Sequence, residues 1–380
     1  MHNRMRERAI LRAKLEAGVN INMRAPRRIG KTWTIDQLAG DLRQADWQVV
    51  QMDVEGMRSS AEFAQALCQR IEAESSIRDR FRAHCQQRLS NVLGGKWGDR
   101  PIDALGKLDP IEFAGTLIAS LAESGRKTAI IIDEIAYFFL AFAQAHPDDA
   151  HAFAYKMRGL QQAHRTVRWL LTGSIGLDII ARRYRLEGAF VDFDPFELQP
   201  FTGAEARSFL RDPKIQLQLT RAFDASDADY DWMFQDLGWL APYYLKLIAN
   251  EVHPSVAEGD GQPARATQDD FAAAFERLLQ PDRRFAFAVW PEHIQKNFAV
   301  EDGALATGIL DALSAAADGE IMDTLLARAT RIQGSATPRQ IRDILDMLMN
   351  DGLIARRGDR YGFRSGLVRR YWQDYQCQES

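Results

Sequence analysis

Between Val19 and about Pro200 the chain alternates short apolar runs with longer segments of helical spacing. The runs VNINMRA (19–25), WQVVQMDV (47–54), TAIIIDE (128–134), VRWLLTGS (167–174) and FELQPF (196–201) predict strands. The nearly unbroken apolar character of the central runs is the mark of parallel strands covered on both faces. Between them, TWTIDQLAGDLRQ, SSAEFAQALCQRIEA and DPIEFAGTLIASLAESG place apolar residues three and four apart, as helices do, and Gly125 closes the last at a C-cap position. The expected fold is therefore α/β, a parallel sheet with helices on both sides. One stretch, Leu89 to Leu108, is rich in Gly and turn residues and breaks the rhythm. It reads as a surface insertion, with a functional loop as the alternative.

After PFTGAEARSFL the strand pattern stops, and the segment from 201 to 299 reads as a helical lid, including WLAPYYLKLIANEV and DDFAAAFERLL. From 300 to 380 the pattern changes again. ALATGILDALSAAA, EIMDTLLARAT and TPRQIRDILDMLMNDG predict three helices, and in the adjoining LIARRGDRYGFRS the residues Arg357, Gly358 and Asp359 can turn a small hairpin. Three helices and a hairpin make a winged helix-turn-helix. The expected domains are thus an αβα core over 1–200, the lid over 201–299 and the winged helix over 300–380.

Composition narrows the class. The 380 residues are 46% hydrophobic and 26% charged, as a water-soluble globular protein would be. The most apolar run, Ala129 to Ala143, carries Asp133 and Glu134 and falls short of the roughly 20 residues of a membrane span, so no membrane partner is expected. The opening MHNRMRERAILRAKLEAG is basic without the apolar core of a signal peptide and reads as an amphipathic helix. Cys68, Cys85 and Cys377 are scattered, which suggests neither a disulfide framework nor a zinc site. A cytoplasmic protein is the expectation. With a formal net charge of −4, any nucleic-acid surface must be local.

The sharpest chemistry lies in MRAPRRIGKT, Met23 to Thr32. Phosphate-binding loops obey G-x-x-x-x-G-K-[ST], in which bare backbone N–H groups and a helix N-terminus receive phosphates. Gly30, Lys31 and Thr32 fill the pattern's end: Lys31 would reach the β and γ phosphates and Thr32 would bind Mg2+. Ala25 replaces the first glycine with little added bulk. Residues Ala25, Pro26, Arg27, Arg28, Ile29, Gly30, Lys31, Thr32 and Trp33 are the candidate contacts to ATP. Arg27 and Arg28 are too long for the cradle itself and are expected to project toward the lid or a neighbouring subunit. A strand before the loop and a helix after it supply the required context.

The other half of such a site is a buried strand ending in acid. In AIIIDE, Asp133 is the candidate Mg2+ ligand and Glu134 the candidate general base; the alternative is a strand end that merely caps the next segment of chain. One strand further on, Thr172 and Ser174 in LLTGS stand at the carboxyl end of the sheet. Either holds the attacking water or senses the γ phosphate, or else caps the next helix.

Taken in order, APRRIGKT, IIIDEI, LLTGSIGL and LAPYYLKLIA, with a winged helix after them, resemble the archaeal-type ATPases of the signal-transduction branch near the AAA+ enzymes. The resemblance covers almost the whole chain. It implies an ATP-binding and hydrolysing switch, often working with a nuclease or other protein effector, in a family with many members in mobile or antiviral-defence gene neighbourhoods; the alternatives are a DNA-binding ATP-dependent loader or regulator and a catalytically silent nucleotide-bound scaffold. It gives Lys31 and Thr32 the Walker A roles, Asp133 and Glu134 the Walker B roles, and Thr172 or Ser174 the sensor role. Two features depart from the family: Ala25, and the lid motif G-x-P, present here as Leu240, Ala241 and Pro242. Pro242 stays a candidate nucleotide contact. No sensor arginine stands near it, only Lys246.

DIIARRYRLEG supplies Arg182, Arg183 and Arg185 after the sensor strand. One of them, with Arg185 the leading choice, would act as an arginine finger in a homo-oligomer; solvated surface charge is the alternative. In the tail, nine arginines (331, 339, 342, 356, 357, 360, 364, 369, 370) face four aspartates (343, 346, 351, 359). Arg339 and Arg342 fall on the face opposite Ile341, Ile344, Leu345 and Leu348. That suits a recognition helix against double-stranded DNA, with Arg356, Arg357 and Arg360 on phosphates. Docking to a protein is the equal alternative.

Overall fold

A computed structural model describes residues 4–74, 78–93, 101–104, 107–257 and 264–377. The chain forms two compact units. One is built from Lys31–Leu198 with the residues up to Ala25; the other is built from Gln199 onward and takes in Pro26–Gly30.

The N-terminal unit is organised by a five-stranded sheet of β1 (Asn20–Arg24), β2 (Gln48–Asp53), β3 (Thr128–Asp133), β4 (Val167–Gly173) and β5 (Phe193–Glu197), in the order β2-β3-β4-β1-β5. Every pairing is parallel, so all five carboxyl ends share one edge. All six residues of β3 are buried, which explains its unbroken apolar run. Helices Lys31–Gln44, Ser60–Ala73, Pro110–Glu123, Ile135–Ala145 and Pro147–Ala163 connect the strands or cover the faces. Local chemistry sets their ends: Asp109 accepts the N–H groups of Ile111 and Glu112, and Gly125 takes a φ of +75° just beyond the helix they begin. The apolar run Ala129–Ala143 divides between β3 and a helix buried almost throughout. Among the described residues, no helix is long and apolar enough to cross a membrane.

Two sequence expectations shift here. The last strand begins at Phe193, not at 196, because β5 lies at the sheet edge, where Pro195 opposite Asn22 removes no ladder bond that a further strand would need. The proposed insertion starts inside a helix, Arg78–Leu93, with Cys85 and Leu89 fully buried. Residues 94–100 and 105–106 of that stretch lie outside the described residues. Burial of Cys85 pushes its thiol up to about 12, which makes it an inert core residue.

In the C-terminal unit, Gly203–Leu210, Asp227–Leu237, Pro242–Glu251, Gln268–Leu278 and Val289–Asn297 are helical. The first opens on a capping box between Thr202 and Glu205. This region also carries a parallel pair of two-residue strands that periodicity did not reveal, β6 (Asp224–Ala225) and β7 (Arg265–Ala266). Two residues are too few to show alternation. The tail contains helices Val300–Ala315, Met322–Ile332, Pro338–Asp351 and Gly366–Tyr375. With β8 (Glu320–Ile321), β9 (Ile354–Arg357) and β10 (Arg360–Phe363) in the antiparallel order β8-β10-β9, it forms a winged helix-turn-helix. Thr337 accepts the Gln340 N–H to start the third helix, and Gly358, at φ +65°, begins the two-residue hairpin turn.

Phe138 centres the aromatic core of the N-terminal unit, with ring centroids of Phe63, Phe139, Phe142 and Phe153 between 5.1 and 5.7 Å away. Phe138→Ala is therefore expected to cost about 3–5 kcal/mol, readable as a lowered midpoint in equilibrium urea unfolding.

Candidate nucleotide-binding site

At the carboxyl edge of the N-terminal unit, β4 lies between β1 and β3. The strand leading to Lys31 and the strand ending in acid are thus two strand spacings apart, roughly 10 Å. The Lys31 side chain reaches the acidic strand: Nζ lies 2.6 Å from Asp133 Oδ1 and pairs with Glu134 Oε1. The other Glu134 oxygen, Oε2, accepts the Ser174 backbone N–H at 3.0 Å and the Ser174 hydroxyl at 3.1 Å. Asp133 Oδ1 also accepts the Glu134 N–H at 2.9 Å. Four residues from three chain segments thus form one buried network, with Lys31, Asp133 and Glu134 side chains 8–10% exposed. Glu134 has a φ of +55°, a left-handed conformation that a side-chain-bearing residue holds only under constraint. Burial pushes the Asp133 carboxyl above the usual carboxylate range, with Lys31 opposing and Glu134 and Asp53 reinforcing the rise.

Beside this network, Thr32, Asp53 and Asp133 line a cavity of about 320 Å³ that also meets Arg43, Arg70 and Glu74. A hydroxyl and carboxylates form a donor set that fits a hard divalent cation such as Mg2+. Among the described residues no group of three or more His, Cys, Asp and Glu side chains is placed to hold a metal alone. Asp53 was missed by sequence reasoning. Its signal was there: QMDV ends a strand in acid just as AIIIDE does, and Asp53 pairs in register with Asp133.

The other candidates near this edge differ in their surroundings. Thr172 is fully buried and its Oγ1 has no hydrogen-bond partner, whereas Ser174 is the residue joined to Glu134. Trp33 is half-buried, and Arg182, Arg183 and Arg185 are exposed around the end of helix Leu177–Arg183, with Arg185 at φ +59°. Arg24 pairs with Asp178 at 3.0 Å.

Within the C-terminal unit, Pro26–Gly30 forms a turn in which the Ile29 N–H donates to Pro26 O at 3.4 Å. Gly30 has a φ of +90°, and a Cβ there would stand 3.8 Å from Pro242 Cγ. The space would be tolerable, so the backbone angle is what requires glycine. Arg27 Nε donates to Asp351 Oδ1 at 3.1 Å, and the Arg28 guanidinium lies 4.1 Å from the Tyr243 ring centroid. Lys246 donates to Gln218 Oε1 at 2.7 Å.

In the winged helix, Arg339, Arg342, Arg356 and Arg357 are exposed, while Ile341, Ile344, Leu345 and Leu348 are buried. Arg360 is exposed as well, though it also donates to Gly319 O; the half-buried arginines have internal duties: Arg364 donates to Ile354 O and Met349 O, Arg369 to Ser314 O, and Arg370 pairs with Asp236. The basic surface is correspondingly narrower than the arginine count implies.

Sheet order, the loop before Lys31 and the acidic strand together make an α/β fold of the P-loop type. Among solved structures, the chain is similar to the Walker-type ATPase PABY2304 of Pyrococcus abyssi, with 15% identity over 98% of this chain and 95% of that one and a TM-score of 0.64. It is also similar to the ORC2 protein of Aeropyrum pernix in its ADPNP–ADP complexes, with 12% identity over 99% of this chain and 95% of that one and a TM-score of 0.53. At these identities the likeness is one of fold. No protein-family model and no curated protein matches the chain.

Removing the Lys31 ammonium from this network leaves two buried carboxylates side by side. Lys31→Ala is expected to destabilise the nucleotide-free protein by about 1–3 kcal/mol at pH 7.5. The deficit should shrink as pH falls, because Asp133, already biased toward its neutral form, then takes a proton. Urea unfolding at pH 7.5 and pH 5 checks both the size and the sign.

Proposed function

We propose that this protein is an Mg2+-dependent ATPase whose nucleotide state controls a partner effector or a DNA-associated assembly through its C-terminal unit. The observation that carries the reading is the Lys31–Asp133–Glu134–Ser174 network. Lys31 is the charge that a γ phosphate would recruit, and its departure uncovers Glu134 Oε1. Ser174 holds Oε2 by two donors, which fixes the carboxylate so that Oε1 accepts the proton of the attacking water. Water attacks the γ phosphorus, the bond to the bridging oxygen breaks, and ADP and phosphate leave. Thr32 and Asp133 are the residues that would hold Mg2+, which supplies charge neutralisation on the phosphates. The Aeropyrum pernix protein of like fold is described with ADPNP and ADP, which supports a nucleotide as the ligand.

Multiple-turnover phosphate release and nucleotide titration together test the assignment. Lys31→Ala is expected to lose ATP binding. Glu134→Gln is expected to keep binding and lose turnover by about 10²–10⁴-fold; turnover at the wild-type rate in that variant would remove Glu134 as the base.

A second reading, double-stranded DNA on the winged helix, is favoured by the exposed Arg339, Arg342, Arg356 and Arg357 on the third helix and the wing. Charge reversal at Arg339, Arg342 and Arg356 should then abolish duplex binding while leaving nucleotide affinity intact, and wild-type binding should weaken steeply with salt. No mobility shift of duplex DNA by the wild-type chain at low salt would end this reading.

A further inference from the structure

The Pro26–Ile29 turn is unusual in what stands at its centre. Arg27 and Arg28 are its two central residues, and Arg28 has a φ of +68°, the value that turns with a left-handed second centre normally reserve for glycine. A residue with a side chain persists there only where its surroundings over-determine it.

Two groups of the C-terminal unit do so. Asp351, the last residue of helix Pro338–Asp351, holds Arg27 twice: its Oδ1 accepts Arg27 Nε at 3.1 Å and its carbonyl accepts the Arg27 N–H at 3.2 Å. Its carboxylate is 4% exposed, and its second oxygen lies 3.4 Å from His293 Nδ1 without hydrogen-bond alignment. Tyr243, in the first turn of helix Pro242–Glu251, provides the ring over which Arg28 lies. Gly352 lets the loop come this close: at φ +97°, a Cβ on it would stand 2.9 Å from Pro26 Cβ and 3.1 Å from the Trp239 ring. The contact between Asp351 and Arg27 joins residues 324 positions apart.

We propose that Asp351 and Tyr243 are positioning residues for the phosphate-binding loop. They impose on Pro26–Gly30 the left-handed turn that glycine-rich loops take unaided, so nucleotide affinity is set from the winged helix and its neighbouring helix. The inference rests on the reading of Lys31 and Thr32 as nucleotide contacts. In a glycine loop the shape is intrinsic; in this arginine loop it is conditional on two partners.

The test is a calorimetric titration of the full chain with ADP, alongside thermal unfolding without nucleotide. Asp351→Asn and Tyr243→Leu should each weaken ADP binding by about tenfold, equivalent to ~1.4 kcal/mol. Adding Arg28→Gly to either variant should restore most of the affinity, because glycine takes φ +68° without strain. A purely structural role for Asp351 would lower the unfolding temperature without moving the ADP affinity. Wild-type binding with unchanged affinity in both single variants, or a loss that Arg28→Gly leaves unrepaired, overturns the proposal. Should Asp351→Asn fail to fold, Tyr243→Leu with its Arg28→Gly rescue decides alone. Absence of ADP binding by the wild-type chain would overturn the nucleotide reading, and this inference with it.

Discussion

A parallel sheet with β4 set between β1 and β3 obliges the chain that follows β1 and the Lys31 side chain together to span two strand widths before Lys31 meets Asp133 and Glu134. The rest of the carboxyl edge depends on that span. Two carboxylates side by side in a buried position repel each other, and burial alone already drives Asp133 toward its neutral form. The lysine makes their shared ionisation tolerable. Ser174, carried on the intervening strand's end, then takes up the remaining Glu134 oxygen. The inserted strand therefore does two things: it separates the phosphate loop from the acids, and it delivers the donor that orients one of them.

The phosphate loop solves a different problem. Its end, Gly30-Lys31-Thr32, keeps the closing residues of the phosphate-loop pattern, and Gly30 keeps a backbone angle that a side chain would oppose. Its middle carries arginines where backbone freedom would ordinarily be wanted. Arg28 accepts a left-handed angle because Tyr243 holds its guanidinium, and Arg27 stays beside it because Asp351 holds both its side chain and its N–H. The same residues that make the turn costly provide the handles that stabilise it.

Much of this architecture was legible in advance where the governing physics is local. The apolar AIII within TAIIID reads as a buried strand, the helix after Thr337 had its cap and its apolar stripe in plain view, and Gly358 marked the wing turn. Local patterns failed where an element was too short or its environment decided it. β6 and β7 have two residues each, β5 begins at Phe193 because an edge strand accepts Pro195, and helix Arg78–Leu93 runs into a stretch whose later glycines look like loop. Arginine counting also misled in part, since the half-buried Arg364, Arg369 and Arg370 bind internal carbonyls or a carboxylate.

By itself the sequence determined the alternation of strands and helices, the loop pattern that closes on Lys31 and Thr32, and the acids at the end of β3, because each is written in neighbouring residues. Tertiary structure alone decided that Ser174 and not Thr172 meets Glu134, that Asp53 joins Asp133 at a shared cavity, and that Arg27 and Arg28 answer to Asp351 and Tyr243. Those pairings join residues far apart in the chain, 40 positions for Ser174 and Glu134 and 324 for Arg27 and Asp351. Only strand order and helix packing bring such partners within hydrogen-bond reach, and no periodicity within a short window encodes that.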